Sequence, residues 1–589
     1  MNRSTLASVL SVALLGAIVF ASAQSAPRPR FDWATVANNT DPMPGDPAGR
    51  TFNSYNQPSV NLNGLVVIRA RSRGGQGGQG GGQPTHGIYT RDMRVAGSPI
   101  VRILDRTTLV PQPNNLGTTF VETPSFPRID MRSDTIATRG NHQPVWNYVT
   151  GTDPATGEDI ETRAGTTGIY ANPFDELITG AAKLGAVPDF GFFAVPGLEP
   201  ATLFDVFPGA PSVTNGATIV FKGNFTVEDV GKTGVFYRDL ADELINSGPG
   251  GGTNPVVLIA NNTDTLIPGT SQLFGSTSPP SAANGLVVFS GFDNEDAPTL
   301  GGIYLAPLAE EPQLTTLVSI GERVPGESVN ATFNGLGEGG AFDGRHVGFW
   351  GAWGPETRTM RLYCSTEGNK DRIAYCNQAL VCANTGETLG DPNSVCDDVN
   401  DPNFGTSCYQ EKQVPLHQGI FVHDIKTRRT LIVAKTGVQF DEFLFWNYSG
   451  KTPCVGGGHS EEGAEDDGEP ARWRSSAFVT VSGKGGGANF TAAFKARNGE
   501  LVDGVYADRV DGIYLRSGPG LGQTVVTVLD TTMDGQVLDP EAPAGSTITE
   551  LGLERESLRG NWLAINASMG VEGGSEEEGM AGVYATKLP

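Results

Sequence analysis

The chain predicts an all-β protein, a seven-bladed β-propeller of four-stranded blades whose last blade is completed by an N-terminal strand. Three observations carry that prediction. A Gly-[Ile/Val]-[Tyr/Phe] triplet recurs seven times (an eighth match, Gly504-Val505-Tyr506, lacks the flanking units), short β-rich runs flank the copies, and glycine (79) with proline (39) supplies one fifth of the 589 residues. Both residues break helix interiors and serve turns, so such a load argues against a helical protein. The 38% hydrophobic content can build a large core and excludes wholesale disorder.

The first element is an export signal over residues 1–23. Arg3 precedes an apolar run from Leu6 to Phe20 that ends in Ala21-Ser22-Ala23, the secretory pattern. Pro27, Arg28, Pro29 and Arg30 follow at once, and the run is short for a bilayer. Residues 24–589 are expected to form the propeller, secreted or periplasmic and without a transmembrane anchor. The net charge of −24 repels phosphate backbones, so nucleic acid is an unsuitable partner.

The triplets stand at Gly87-Ile88-Tyr89, Gly168-Ile169-Tyr170, Gly234-Val235-Phe236, Gly302-Ile303-Tyr304, Gly419-Ile420-Phe421, Gly512-Ile513-Tyr514 and Gly582-Val583-Tyr584. A β-rich run precedes them, as in Gly64-Leu65-Val66-Val67-Ile68 and Gly285-Leu286-Val287-Val288-Phe289, and another follows, as in Val256-Val257-Leu258-Ile259-Ala260. Turns such as Pro268-Gly269 come next, then an aromatic residue at Phe52, Phe120, Phe204, Phe274, Phe333 and Phe443. Each unit thus offers about four short strands bounded by turn formers. Sheets this small would expose unpaired edges alone, whereas radial packing buries both faces.

The seventh unit ends five residues after Tyr584 and lacks its fourth strand. The missing piece stands at the other end. Ala34-Thr35-Val36-Ala37-Asn38-Asn39-Thr40-Asp41 matches Val257-Leu258-Ile259-Ala260-Asn261-Asn262-Thr263-Asp264, so an N-terminal strand is expected to close the ring.

The unit resembles the bacterial NxxGxxAF tandem-repeat proteins and, more distantly, TolB-like propellers. Asn61-Leu62-Asn63-Gly64 keeps the leading asparagine, while Ala282 and Val213 stand in its place before Gly285 and Gly216. The resemblance spans nearly the whole mature chain and implies an exported propeller; it implies no particular activity.

All six cysteines, Cys364, Cys376, Cys382, Cys396, Cys408 and Cys454, fall in one stretch, and an exported chain with an even number predicts three disulfides of open connectivity. Residues 364–418 read as a disulfide-bearing insertion within the fifth blade. Its Asp397, Asp398, Asn400 and Asp401 offer clustered oxygens that suit calcium, although Asp-Pro-Asn sequences are also ordinary turn formers. No other cofactor is indicated.

Catalytic motifs fail on inspection. Gly231-Lys232-Thr233 has Thr226 where a phosphate loop needs glycine, Gly458-His459-Ser460-Glu461-Glu462 breaks the nucleophile elbow, and no H-E-x-x-H occurs. His417 and His423 stand about 20 Å apart if their strand is unbroken. The polar residues expected on the innermost strands, facing the axis, are Asn53, Glu122, Asp205, Asn334 and Glu550. Added chain falls mostly between second and third strands, as in residues 71–86, 139–167 and 364–418, which puts it on one face. The leading reading is a binding or interaction module whose loop face takes a glycan or a surface protein. The alternatives are a propeller hydrolase or lyase using an axial metal or carboxylate pair, and a structural surface protein.

Overall fold

The computed structural model describes residues 31–589 apart from 47, 74–83, 242–253, 367, 397, 402–403, 406, 455–469, 484–487, 519–523, 572 and 575–578. The predicted export signal, the Gly-Gly-Gln repeats, Asp397 and the acidic runs near 461–467 and 576–578 lie outside the described residues.

Seven small antiparallel sheets follow one another and close into a ring. Blade 1 comprises Phe52–Tyr55, Leu65–Ser72, His86–Asp92 and Val101–Asp105; blade 2, Phe120–Glu122, Ile136–His142, Thr167–Ala171 and Ile178–Ala182. Blade 3 comprises Ser212–Thr214, Thr218–Val227, Val230–Asp239 and Val257–Asn261; blade 4, Ser276–Thr277, Leu286–Phe292, Gly301–Pro307 and Thr315–Ser319. Blade 5 comprises Phe333–Leu336, His346–Tyr363, Tyr409–Asp424 and Arg429–Lys435; blade 6, Val479–Gly483, Phe490–Val502, Val505–Ser517 and Val526–Asp530. Blade 7 comprises Thr547–Gly552, Trp562–Gly570 and Met580–Lys587, and its fourth strand is Trp33–Asn38. Trp33 pairs with Thr586 and Asn38 with Gly582, so the chain's own first strand closes the ring as expected.

The triplet marks one physical device. In blades 1 to 6 the third and fourth strands slip register between its second and third residues, as between Ile88 and Tyr89, because the fourth strand carries an extra residue there. Blade 7 has the corresponding slip between Thr35 and Ala37. The bulged strand presses a carbonyl against the glycine: a Cβ on Gly168 would stand 2.6 Å from Ala181 O, and one on Gly582 2.8 Å from Ala37 O. The aromatic third residue meets a phenylalanine of the first strand edge-on, at 5.1 Å for Phe52–Tyr89, 4.8 Å for Phe120–Tyr170 and 5.2 Å for Phe274–Tyr304.

Blade 6 corrects one assignment. Phe440, not Phe443, makes this contact, with Tyr514 at 4.6 Å, while Phe443 packs on Phe494. The hairpin Phe445–Ser449 and Arg472–Ser476 interrupts the approach to the innermost strand, so its front and rear parts are separated in sequence. The extra match Gly504-Val505-Tyr506 is turn chemistry: Asp503 and Gly504, both at positive φ, form the two-residue turn between the long strands of blade 6.

Fourth strands end in a repeated cap. Oδ1 of Asn38, Asp105, Asn261 and Asp530 accepts from the backbone N–H of Thr40, Thr107, Thr263 and Thr532, at 2.9, 2.8, 3.2 and 3.0 Å. Adjacent blades are clasped at their first turns. Gly216 N donates to Asp130 Oδ2 (3.1 Å), Gly285 N to Thr214 Oγ1 (3.2 Å) and Gly560 N to Ser482 Oγ (2.8 Å). The connections between second and third strands, together with those leading into the next blade, open on the opposite face.

Candidate functional site

The first strands narrow as they pass Pro58, Pro127, Pro211 and Pro280, and the short segments that follow touch in ring order around the axis. The residue paired with the second strand at that level is Ser59, Arg128, Ser212, Ser281, Ala341 or Thr480 in blades 1 to 6, with Ser557 as its counterpart in blade 7. Small hydroxyls let the blades converge and join them. Ser557 Oγ donates to Pro58 O (2.8 Å), Ser59 Oγ to Pro127 O (3.1 Å) and Thr480 Oγ1 to Arg555 O (2.9 Å).

A buried ion cluster fills this level. The Arg128 guanidinium lies 3.3 Å from Glu554 and 3.0 Å from Glu556, and Arg559 lies 3.8 Å from Glu556. Ser281 Oγ donates to Glu556 Oε1 at 3.2 Å, Arg555 Nη1 to Pro279 O at 2.8 Å and Arg559 Nη2 to Phe342 O at 3.1 Å. Burial raises the Glu554 pKa, but Arg128 and Arg555 outweigh it and hold the carboxyl below its ordinary range. Three cations thus face two carboxylates, joining blades 2, 4, 5 and 7. Such an arrangement seals and registers the ring rather than offering acceptors to a cation.

The five residues expected at the axis do not gather. Asn53 accepts from Arg73 Nε (3.2 Å), Glu122 lies 3.8 Å from Arg69, Asp205 accepts from Thr226 Oγ1 (2.8 Å) and Asn334 donates to Gly354 O. Glu550 is exposed, within electrostatic reach of Lys495. The register explains the dispersal. Asn53 and Asn334 fall in the first-strand bulges, whereas Glu122 and Glu550 pair with the second strand. Glu442, missed in sequence, is the counterpart of Glu122 in blade 6, fully buried against Arg358 at 2.8 Å. The axial charges had a readable signal in the recurrence of Pro58-Ser59, Pro127-Arg128, Pro211-Ser212 and Pro280-Ser281 just before each second strand.

The loop face is dominated by a tower over blades 5 and 6. Long strands His346–Tyr363 and Tyr409–Asp424 carry between them a helix, Lys370–Cys376, and a small hairpin, Leu380–Val381 with Thr388–Leu389. The disulfides are Cys364–Cys376, Cys396–Cys408 and Cys382–Cys454, the last tying this insertion to the connector into blade 6. Met360, Leu362 and Val414 pack there with Trp446, Trp473, Leu501 and Tyr506. Trp350 donates to Gln418 Oε1, Trp353 stacks on His417 and Trp146 meets Phe190 edge-on, so these three tryptophans, like Trp446, serve packing.

Of the calcium candidates, Asp397 lies outside the described residues. Asp398 accepts from Tyr409 OH at 3.0 Å and from Asn400 N at 3.0 Å, and Asp401 from Tyr363 OH at 2.6 Å and Arg361 Nη1 at 3.1 Å. Among the described residues no group of three or more His, Cys, Asp or Glu could hold a metal ion. His417 and His423 part company: His423 is buried against Thr430, and His417 is half-buried, 3.7 Å from Glu356.

No protein-family model and no curated protein matches the chain by sequence. Solved structures resemble it in fold. A Hadza microbial sialidase matches at TM-score 0.24 and 14% identity over 51% of this chain and 57% of its own, so the chain spans little more than half of that protein. Polysaccharide lyase Uly1 matches at TM-score 0.36 and 9% identity over 95% and 100% of the two chains. A glycosyl hydrolase from Bacteroides ovatus matches at TM-score 0.23 and 15% identity over 55% and 89%. At these scores and identities the likeness carries no chemistry over to this chain.

Proposed function

We propose that the chain is an exported binding protein, a closed ring whose loop face takes a glycan or a surface protein. The observation that carries this reading is the concentration of added chain on one face, built into a disulfide-tied tower over blades 5 and 6. Loops held on a rigid scaffold are where proteins place recognition. The mutually paired charges at the axis support it too, since they leave little for a substrate there to engage. Three disulfides suit an oxidising compartment.

The test is a panel of glycans and surface-protein fractions presented to the purified chain and to a variant lacking residues 365–407. Binding that falls with the variant supports the reading, and binding by neither protein overturns it. EDTA in the same assay tests the calcium expectation at Asp397, Asp398, Asn400 and Asp401.

One observation favours the hydrolase or lyase alternative. Lys495 is half-buried with its ammonium 4.1 Å from the Phe445 ring centroid, and burial pushes its pKa down to about 8, with Asp511 and Glu550 in range. An amine so placed can serve as a general base. Release of reducing ends from a glycan, abolished in Lys495→Met, would establish that reading.

A further inference from the structure

The chain as a whole is strongly acidic, yet residues 50–106 hold eight arginines against two aspartates and no glutamate. Four of these arginines have evident local work. Arg50 pairs with Asp46, Arg94 with Asp92 and Arg102 with Asp105, and Arg91 bonds the carbonyls of Thr35, Val36 and Ser98. The other four, Arg69, Arg71, Arg73 and Arg106, belong to the end of blade 1 that opens on the loop face.

Their placement follows from register. Arg71 stands directly across from His86, and Arg69 lies two residues along the same sheet face, across from Ile88. Ile88 packs into the core shared with blade 2, so this face looks toward the neighbouring blade. Arg71 Nε donates to Ser54 Oγ (2.7 Å), Arg106 Nη1 to Pro84 O (3.3 Å), Arg73 Nε to Asn53 Oδ1 (3.2 Å) and Arg69 Nη1 to Asn56 Oδ1 (2.6 Å). Arg69 Nε also bonds Thr123 O of blade 2. The acceptors of Arg71 and Arg106, Ser54 Oγ and Pro84 O, are neutral. Glu122 approaches Arg69 at 3.8 Å, and Asp105 is held by Arg102 at 2.8 Å.

His86 registers the resulting field. Burial, then Arg69, Arg106 and Arg71, push its pKa down to about 3, leaving a neutral imidazole among guanidiniums. Among the described residues its Nδ1, which is buried, has no hydrogen-bond partner, and neither has Oγ1 of Thr123, the residue whose carbonyl takes Arg69. Arg71, Arg106 and His86 are each half-buried, placed where water is partly excluded and electrostatic attraction is strengthened.

We propose that the cleft between blades 1 and 2 binds an oxyanion of the ligand, the carboxylate or sulfate of an acidic saccharide. Guanidinium forks match the spacing of such oxygens. The acidic remainder of the surface repels an anionic chain everywhere else and so steers it to this cleft. The proposal rests on the reading that the loop face binds a ligand, and it names that ligand's chemical class.

Titration calorimetry tests it with sodium sulfate, glucuronate, polygalacturonate, dextran sulfate and neutral dextran. The proteins are the wild type, Arg71→Ala, Arg106→Ala and the double variant, with Arg94→Ala as a control on the opposite face. Acidic polymers are expected to bind where neutral dextran does not, each cleft variant losing about tenfold in affinity and Arg94→Ala none. Small anions binding in competition with the polymer identify a single oxyanion as the ligand group; polymer binding alone adds neighbouring saccharide contacts, and both support the proposal. Acidic polymer bound equally by the double variant, with an unchanged melting temperature, overturns it. Binding of neutral dextran in place of acidic polymer overturns the anion proposal and leaves the binding reading standing. No binding in any arm overturns the anion proposal, and the glycan and surface-protein panel then decides the binding reading.

Discussion

At the scale of single residues, the buried charges divide into those that hold and those that titrate. Arg128 is fully buried between Glu554 and Glu556, so Arg128→Ala leaves two carboxylates uncompensated. The expected cost is about 3–5 kcal/mol, read by chemical denaturation, and Arg128→Met combined with Glu554→Gln and Glu556→Gln recovers most of it. An Arg128→Ala protein as stable as the parent would contradict the sealed axis. His142 donates through Nδ1 to Gln143 O and accepts from Tyr170 OH at Nε2, at 2.8 and 2.6 Å, and burial pushes its pKa down to about 4. The unfolded chain takes up that proton near pH 6.5. Below that pH the unfolded state binds more protons, so stability falls on acidification toward the folded pKa. The slope is about 1.4 kcal/mol per pH unit for this histidine, and His86 adds to it in the same direction. Denaturation midpoints at pH 7 and pH 5 check this, and a flat profile would count against neutral imidazoles.

At the scale of elements, the triplet was legible because its physics is local and repeated. Glycine admits the bulged carbonyl, the β-branched residue fills the space between blades, and the aromatic covers the glycine. Gly302→Ala would drive a Cβ into Val318 O, and the backbone must move to relieve it. The expected loss is about 1–3 kcal/mol, while Gly269→Ala, with nothing near its Cβ but at φ +81, loses about 1 kcal/mol or less. The tower was legible only as a cluster of cysteines. Cys382–Cys454 spans 72 residues of sequence, so its pairing comes from two connections meeting in space. Replacing both cysteines by serine is expected to expose the tower to proteolysis while the main unfolding transition of the ring keeps its midpoint. Phe440 rather than Phe443 takes the inner-strand position because Glu442 bridges Arg497 of the second strand, a register set by pairing that no local spacing reveals.

At the scale of the molecule, closure is the cooperative step. Trp33–Asn38 is the fourth strand of blade 7, and Val36 and Ala37 join the core between blades 7 and 1. Deleting residues 31–45 leaves the edge of Met580–Lys587 unpaired and that core open. A sharp fall in melting temperature is expected, and an unchanged one would refute closure by this strand.

The sequence by itself determined the number of blades, the four-strand unit and the strand that closes the ring. Those follow from periodic turn formers, β-branched runs and a glycine-bulge triplet, each acting within a few residues. Tertiary structure alone decided what occupies the axis and which charges meet. Arg128 and Glu556 belong to blades 2 and 7 and become neighbours only when the ring is complete. Position along a strand specifies which face a side chain takes, while the distance between side chains of different blades is set by how seven sheets pack about one axis.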